Sequence, residues 1–107
     1  MKVTDNEFVQ YALKFFEALK WKPARPEDCD SPFVIAYGNV DSHGCGCVCV
    51  IDTKAKLFKI ELAERSANEI LKSQCVVRYF DDKVAIQRFE HYMDKTGLFF
   101  KEAWLGG

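Results

Sequence analysis

An imidazole and three thiols fall within seven consecutive residues, His43-Gly44-Cys45-Gly46-Cys47-Val48-Cys49. These are soft ligands suited to zinc or copper(I), and His43 beside Cys45 is also the minimal base-and-nucleophile pair of a thiol enzyme or ligand-binding domain. The spacing argues against metal. Structural zinc pairs stand two to four residues apart at a turn where two sulfurs converge, whereas alternate residues on one face of a strand lie roughly 7 Å apart. Cys29 or Cys75 would have to complete such a site. Unbridged cysteine is also among the side chains most often fully buried, and a strand in the middle of a sheet accepts it as a small hydrophobe. Cys45, Cys47 and Cys49 are therefore expected in the core as reduced thiols, without metal or cofactor.

Other candidate chemistry is thinner. His91 is the second possible base for a cysteine, on a helix whose polar side accounts for it equally well. The acidic pairs Glu27 and Asp28, Glu61 and Glu64, and Asp81 and Asp82 sit in loops or at element ends, where turn formation and helix capping already explain them. Gly38, Gly44 and Gly46 lack the spacing, and the following helix, of a phosphate-binding loop. No catalytic residue is assigned. The chain ends Trp104-Leu105-Gly106-Gly107, and a Gly-Gly end resembles the activated tail of ubiquitin-like and sulfur-carrier proteins. That resemblance implies adenylation of the terminal carboxylate, although a helix preceding every strand departs from the ubiquitin-like order.

The 107 residues suit one domain, 1–107, and at 49% hydrophobic they bury a core without needing metal or disulfides. Fifteen basic and 16 acidic residues are interspersed to a net charge of −1, leaving no basic field for nucleic acid or anionic lipid. The longest apolar runs fall far short of the ~20 residues that cross a bilayer. An odd cysteine count of five, three of them clustered, and acids where a signal peptide carries its apolar core predict a reducing, cytoplasmic location, in a cell or in a virus-infected host.

Periodicity predicts an α+β domain in the order helix, three strands, short helix, strand, helix, with an antiparallel sheet of three to five strands. Thr4-Asp5-Asn6-Glu7 has capping-box spacing, and Phe8, Val9, Ala12, Leu13, Phe16 and Leu19 form the buried stripe of the helix that follows. Prolines 23, 26 and 32 make residues 21–32 an irregular connection. Strands are predicted over 33–37, 45–51 and 57–63, with Gly38 to Gly44 as a turn; the second has two apolar faces, Cys47, Cys49 and Ile51 against Val48 and Val50, and is expected to be central. Ser66-Ala67-Asn68-Glu69 repeats the capping-box spacing and predicts a short helix to about Ser73. A fourth strand over 75–80 and a helix from Asp81 or Asp82, with Val84, Ala85, Ile86, Phe89, Tyr92 and Met93 inward and Gly97 at its end, complete the frame. The apolar tail, Leu98 to Leu105, is expected to add an edge strand or to pack on a partner.

With no catalytic constellation, the leading expectation is a non-catalytic interaction module: an adaptor, chaperone-like or inhibitor protein, cellular or viral, that binds another protein and forms a homodimer. Trp21, Phe99, Phe100, Trp104 and Leu105 are the predicted partner contacts, being large aromatic or apolar residues at element ends and in the tail. The helix, antiparallel strands, helix order is loosely similar to secretion-chaperone-type domains, which act as dimers.

Overall fold

Asn6 starts the first helix, α1 (Glu7–Ala18), by accepting a hydrogen bond from the Val9 amide on its side-chain oxygen at 3.1 Å. Thr4, the expected cap, lies outside the described residues. The structure, a computed structural model, describes residues 6–24, 32–41, 45–66 and 69–100, backbone alone at 65–66, 70–73 and 94–100. Phe8, Val9, Ala12 and Phe16 are buried along one stripe of α1, while Glu7, Gln10, Lys14 and Glu17 face water.

The helix ends in a Schellman motif. Lys20 takes the left-handed conformation (φ 60°) and donates to the Glu17 carbonyl at 3.0 Å, and Trp21 donates to the Phe16 carbonyl at 2.9 Å. This reversal lays the Trp21 ring parallel to Phe16, with centroids 5.4 Å apart and 10° between planes; Tyr37 lies parallel to the same ring at 5.1 Å and 11°. Trp21 is consequently a core residue, 8% exposed, and not the surface anchor its place after a helix suggested.

Five antiparallel strands follow in simple chain order: β1 (Lys22–Pro23), β2 (Val34–Val40), β3 (Gly46–Asp52), β4 (Leu57–Ser66) and β5 (Glu69–Arg78). The α+β class and the central place of the cysteine strand are as expected. Three details differ. Lys22 and Pro23 pair with Gly38 and Tyr37, so the proline-rich connection opens with a short strand. The strand before the cysteines runs three residues past Tyr37, because Gly38 continues the ladder. A Cβ at Gly38 would come within 2.8 Å of the Cys47 carbonyl oxygen, so its glycine serves close packing and not a turn. Finally, the described residues between Ser66 and Ser73 form strand and not helix: Ser66 pairs with Glu69, Arg65 with Ile70 and Glu64 with Leu71, so β4 and β5 are a long hairpin. Serine and asparagine favour tight turns by the same local hydrogen bonding that makes them helix caps, and Ile70-Leu71 is too short to set a period.

Aspartates close the β2–β3 and β3–β4 hairpins. Asp41 donates its amide to the Cys45 carbonyl at 2.9 Å and accepts from the Cys45 amide on its side chain at 3.0 Å. Asp52 accepts from Lys54 and Ala55 at 3.0 and 2.9 Å in the β3–β4 turn.

Asp81 caps the second helix, α2 (Asp82–Phe100), accepting from the Val84 amide at 2.8 Å. Ala85, Phe89 and Met93 are fully buried on the expected face, with Val84, Ile86 and Tyr92 packed beside them. The helix does not stop at Gly97. A glycine inside a helix costs only about 1 kcal/mol, and Leu98, Phe99 and Phe100 continue the helix, which removes the expected edge strand from these three positions. Trp104 and Leu105 lie outside the described residues. Both helices cover one face of the sheet and meet side by side, where the Tyr11 hydroxyl donates to the Glu90 carboxylate. Among the described residues no helix is long and apolar enough to cross a membrane.

Two backbone sites have measurable consequences. Lys20→Gly relieves a left-handed lysine and is expected to raise stability by about 1 kcal/mol in urea unfolding, with Lys20→Ala giving no such gain. At Gly46 a Cβ would fall 2.0 Å from the Asn39 carbonyl oxygen and 2.7 Å from the Val40 Cα. Backbone cannot yield as a side chain does, so Gly46→Ala is expected to lose about 2–4 kcal/mol in the same assay.

Candidate functional site

The thiol cluster resolves into packing. Cys47 and Cys49 are fully buried under the helices, Cys45 is buried and Cys75 half-buried, and no disulfide joins these four. Burial pushes the Cys47 thiol up to about 12. Burial likewise raises Cys49, and repulsion from Cys47 adds to it. Nucleophile and metal ligand both require thiolate, which these two positions disfavour. Among the described residues no three His, Cys, Asp or Glu side chains gather closely enough to hold a metal ion. His43 and Cys29 lie outside the described residues, as do Gly106 and Gly107.

The two edges of the sheet differ. β1 guards one with only two residues, one of them proline, which is how exposed edges are commonly blunted. β5 forms the other with ten residues and no proline, and in the sheet it is hydrogen-bonded to β4 alone. Along a strand paired on one side, the outward-facing amides and carbonyls are open to a further strand. Val76 on β5 is 46% exposed and Phe80, just beyond its end, is 68% exposed.

Beside this edge, β5 and α2 enclose an open hollow of about 500 Å³ lined by Val77, Gln87, Arg88, His91 and Tyr92. One Arg88 Nη donates to the Arg78 carbonyl and ties the helix to the end of the strand. The His91 ring stands edge-on to Tyr92, 5.3 Å between centroids and 86° between planes. Its neighbours in the hollow include no cysteine among the described residues, so no described thiol pairs with His91 there.

The predicted partner contacts are thus dispersed. Trp21 is in the core, Phe99 and Phe100 are placed only as turns of α2, and Trp104 and Leu105 lie outside the described residues. Sequence reasoning missed the β5 edge with Arg88 and Gln87 beside it. Alternation of Leu71, Cys75 and Val77 with Lys72, Gln74 and Arg78 is the available signal, overridden by the cap-like Ser66-Ala67-Asn68-Glu69.

Burial of the thiols makes stability depend on alkali. An unfolded cysteine loses its proton near 9.0, whereas Cys47 in the fold keeps it to about 12. Above the unfolded value the unfolded chain binds fewer protons than the native one, so stability is full below it and falls as pH rises through this window, by up to about 1.4 kcal/mol per pH unit per thiol. Tyr79 adds to the same slope, being pushed up to about 12 by burial first and then by the Asp82 and Asp52 carboxylates. Urea midpoints compared at about pH 8 and about pH 10.5 are expected to show this loss, and Cys47→Ala to reduce it.

In comparisons with known proteins no family model, curated protein or solved structure matches the chain.

Proposed function

We propose that the protein is a non-catalytic interaction module that binds a partner protein by taking an extended segment onto β5 as a sixth strand. The observation that supports this most is the asymmetry of the sheet: a two-residue edge with proline on one side, and ten residues hydrogen-bonded on one side only on the other. Strand addition draws affinity from main-chain hydrogen bonds and specificity from alternate side chains. Exposed Val76 and Phe80 supply apolar contact beside that ladder, in the way aromatic residues anchor interfaces. Self-association by the same edge, β5 to β5 about a two-fold axis, is the homodimeric form of the reading.

The test is a display selection of extended peptides against the purified protein, followed by amide exchange on the complex. Expected are selected peptides that slow exchange at alternate amides of β5 by at least about tenfold, leave β1 unchanged, and bind about tenfold more weakly to Phe80→Ala at unaltered melting temperature. Selection of nothing, or protection confined to the helices, overturns the proposal.

A further inference from the structure

The hollow between β5 and α2 is one-sided in its chemistry. Its polar side chains among the described residues are Gln87, Arg88, His91 and Tyr92, and no described aspartate or glutamate lines it. Glu90, the acid in the same turn of the helix, is engaged on the opposite flank by the Tyr11 hydroxyl. Arg88 gives one nitrogen to the Arg78 carbonyl, and a guanidinium has further N–H donors in the same plane. Val77 and the Tyr92 ring supply apolar wall between these groups.

A strand laid along β5 presents every second side chain to the α2 side, roughly 7 Å apart, so the residue that reaches past Val77 meets Arg88 and His91. We infer that the hollow receives a carboxylate side chain, aspartate or glutamate, from the added strand, and so selects acidic extended segments. The inference rests on strand addition at β5 and specifies its partner. Arginine's fork matches a carboxylate in charge and geometry, the Gln87 amide donates to the same kind of acceptor, and Val77 with Tyr92 covers the aliphatic stem. A lysine in that position meets the Arg88 guanidinium, of like sign, and is rejected.

The probe is a set of three display pools of extended heptapeptides whose central residue is fixed as glutamate, glutamine or lysine. The glutamate pool is expected to bind at least about tenfold more tightly than the glutamine pool and the lysine pool more weakly still, with a preference that shrinks as salt is raised. Arg88→Gln is expected to abolish the glutamate preference, read as the ratio of glutamate-pool to glutamine-pool affinity, and His91→Gln to lower that ratio in part. Equal affinity across the three pools, with β5 amides protected, overturns the carboxylate selectivity and leaves strand addition standing. No binding by any pool overturns both. Binding of free glutarate to the hollow as tightly as the glutamate pool, without protection of β5, also overturns the inference.

Discussion

Phe89 joins the two helices to the sheet through a single ring. Fully buried, it meets Phe8, Tyr11, Phe15 and Phe16 of α1 and Phe58 of β4, with centroids 5.3–6.2 Å apart and planes 73–84° from one another. Edge-to-face contacts of this kind contribute about 0.5–1.5 kcal/mol each beyond the area they bury, and they fix orientation as well as proximity. Because α1 and α2 lie at opposite ends of the described chain, the cluster also binds the ends of the fold together. Phe8 extends it to Tyr79 at 5.3 Å, at the foot of β5.

A lock of that size on one face leaves the other surfaces to their own devices. Helices cover Cys47, Cys49, Ile51, Phe58, Ile60 and Val77, and the meander needs no crossover because each strand pairs with its predecessor. Among the described residues the meander leaves backbone without a strand partner along β5 and along the parts of β2 beyond its short pairing with β1. β1 is held against β2 at Tyr37 and Gly38 and followed by an Ala24 amide bonded to the Ala36 carbonyl at 3.0 Å, so that side carries very little strand. β5 has no such limit on its length, and the second helix returns beside it rather than over its outer edge.

Much of this was legible in the residues. The stripe Phe8, Val9, Ala12, Phe16 and the face Ala85, Phe89, Met93 follow the helical period, and Phe58 and Ile60 alternate with Lys59 and Glu61, so these elements emerge from periodicity alone. Where short-range chemistry serves two purposes, the reading failed. Ser66-Ala67-Asn68-Glu69 suits a cap and a hairpin alike, and which one forms is decided by pairing of β5 with β4 over ten residues, a non-local fact. Gly38 reads as a turn and is a strand residue because another backbone comes close; Gly97 reads as a stop and is passed. Trp21 looks like a surface anchor until Lys20 turns the chain back on Phe16. The β5 edge was hidden by the first of these errors, and with it the hollow that α2 completes.

The cysteines that first suggest chemistry have a volume to explain them. Four phenylalanines, at 8, 16, 58 and 89, are fully buried around the middle of the sheet, and rings of that size fill the space between helix and strand only if the strand beneath them is small. Cys47 and Cys49 are small, polarisable and apolar enough to sit there unpaired, where valine adds bulk and serine adds a hydroxyl requiring a partner. Gly38 and Gly46 perform the related task between backbones, letting β2 approach β3 more closely than any Cβ permits. In a strand built this way Cys47 and Cys49 lie beneath the helices, where burial holds their protons and disfavours the thiolate that chemistry would need. The recognition proposed for this fold lies instead at its periphery, where β5 ends the sheet and α2 sets Arg88 and His91 beside it.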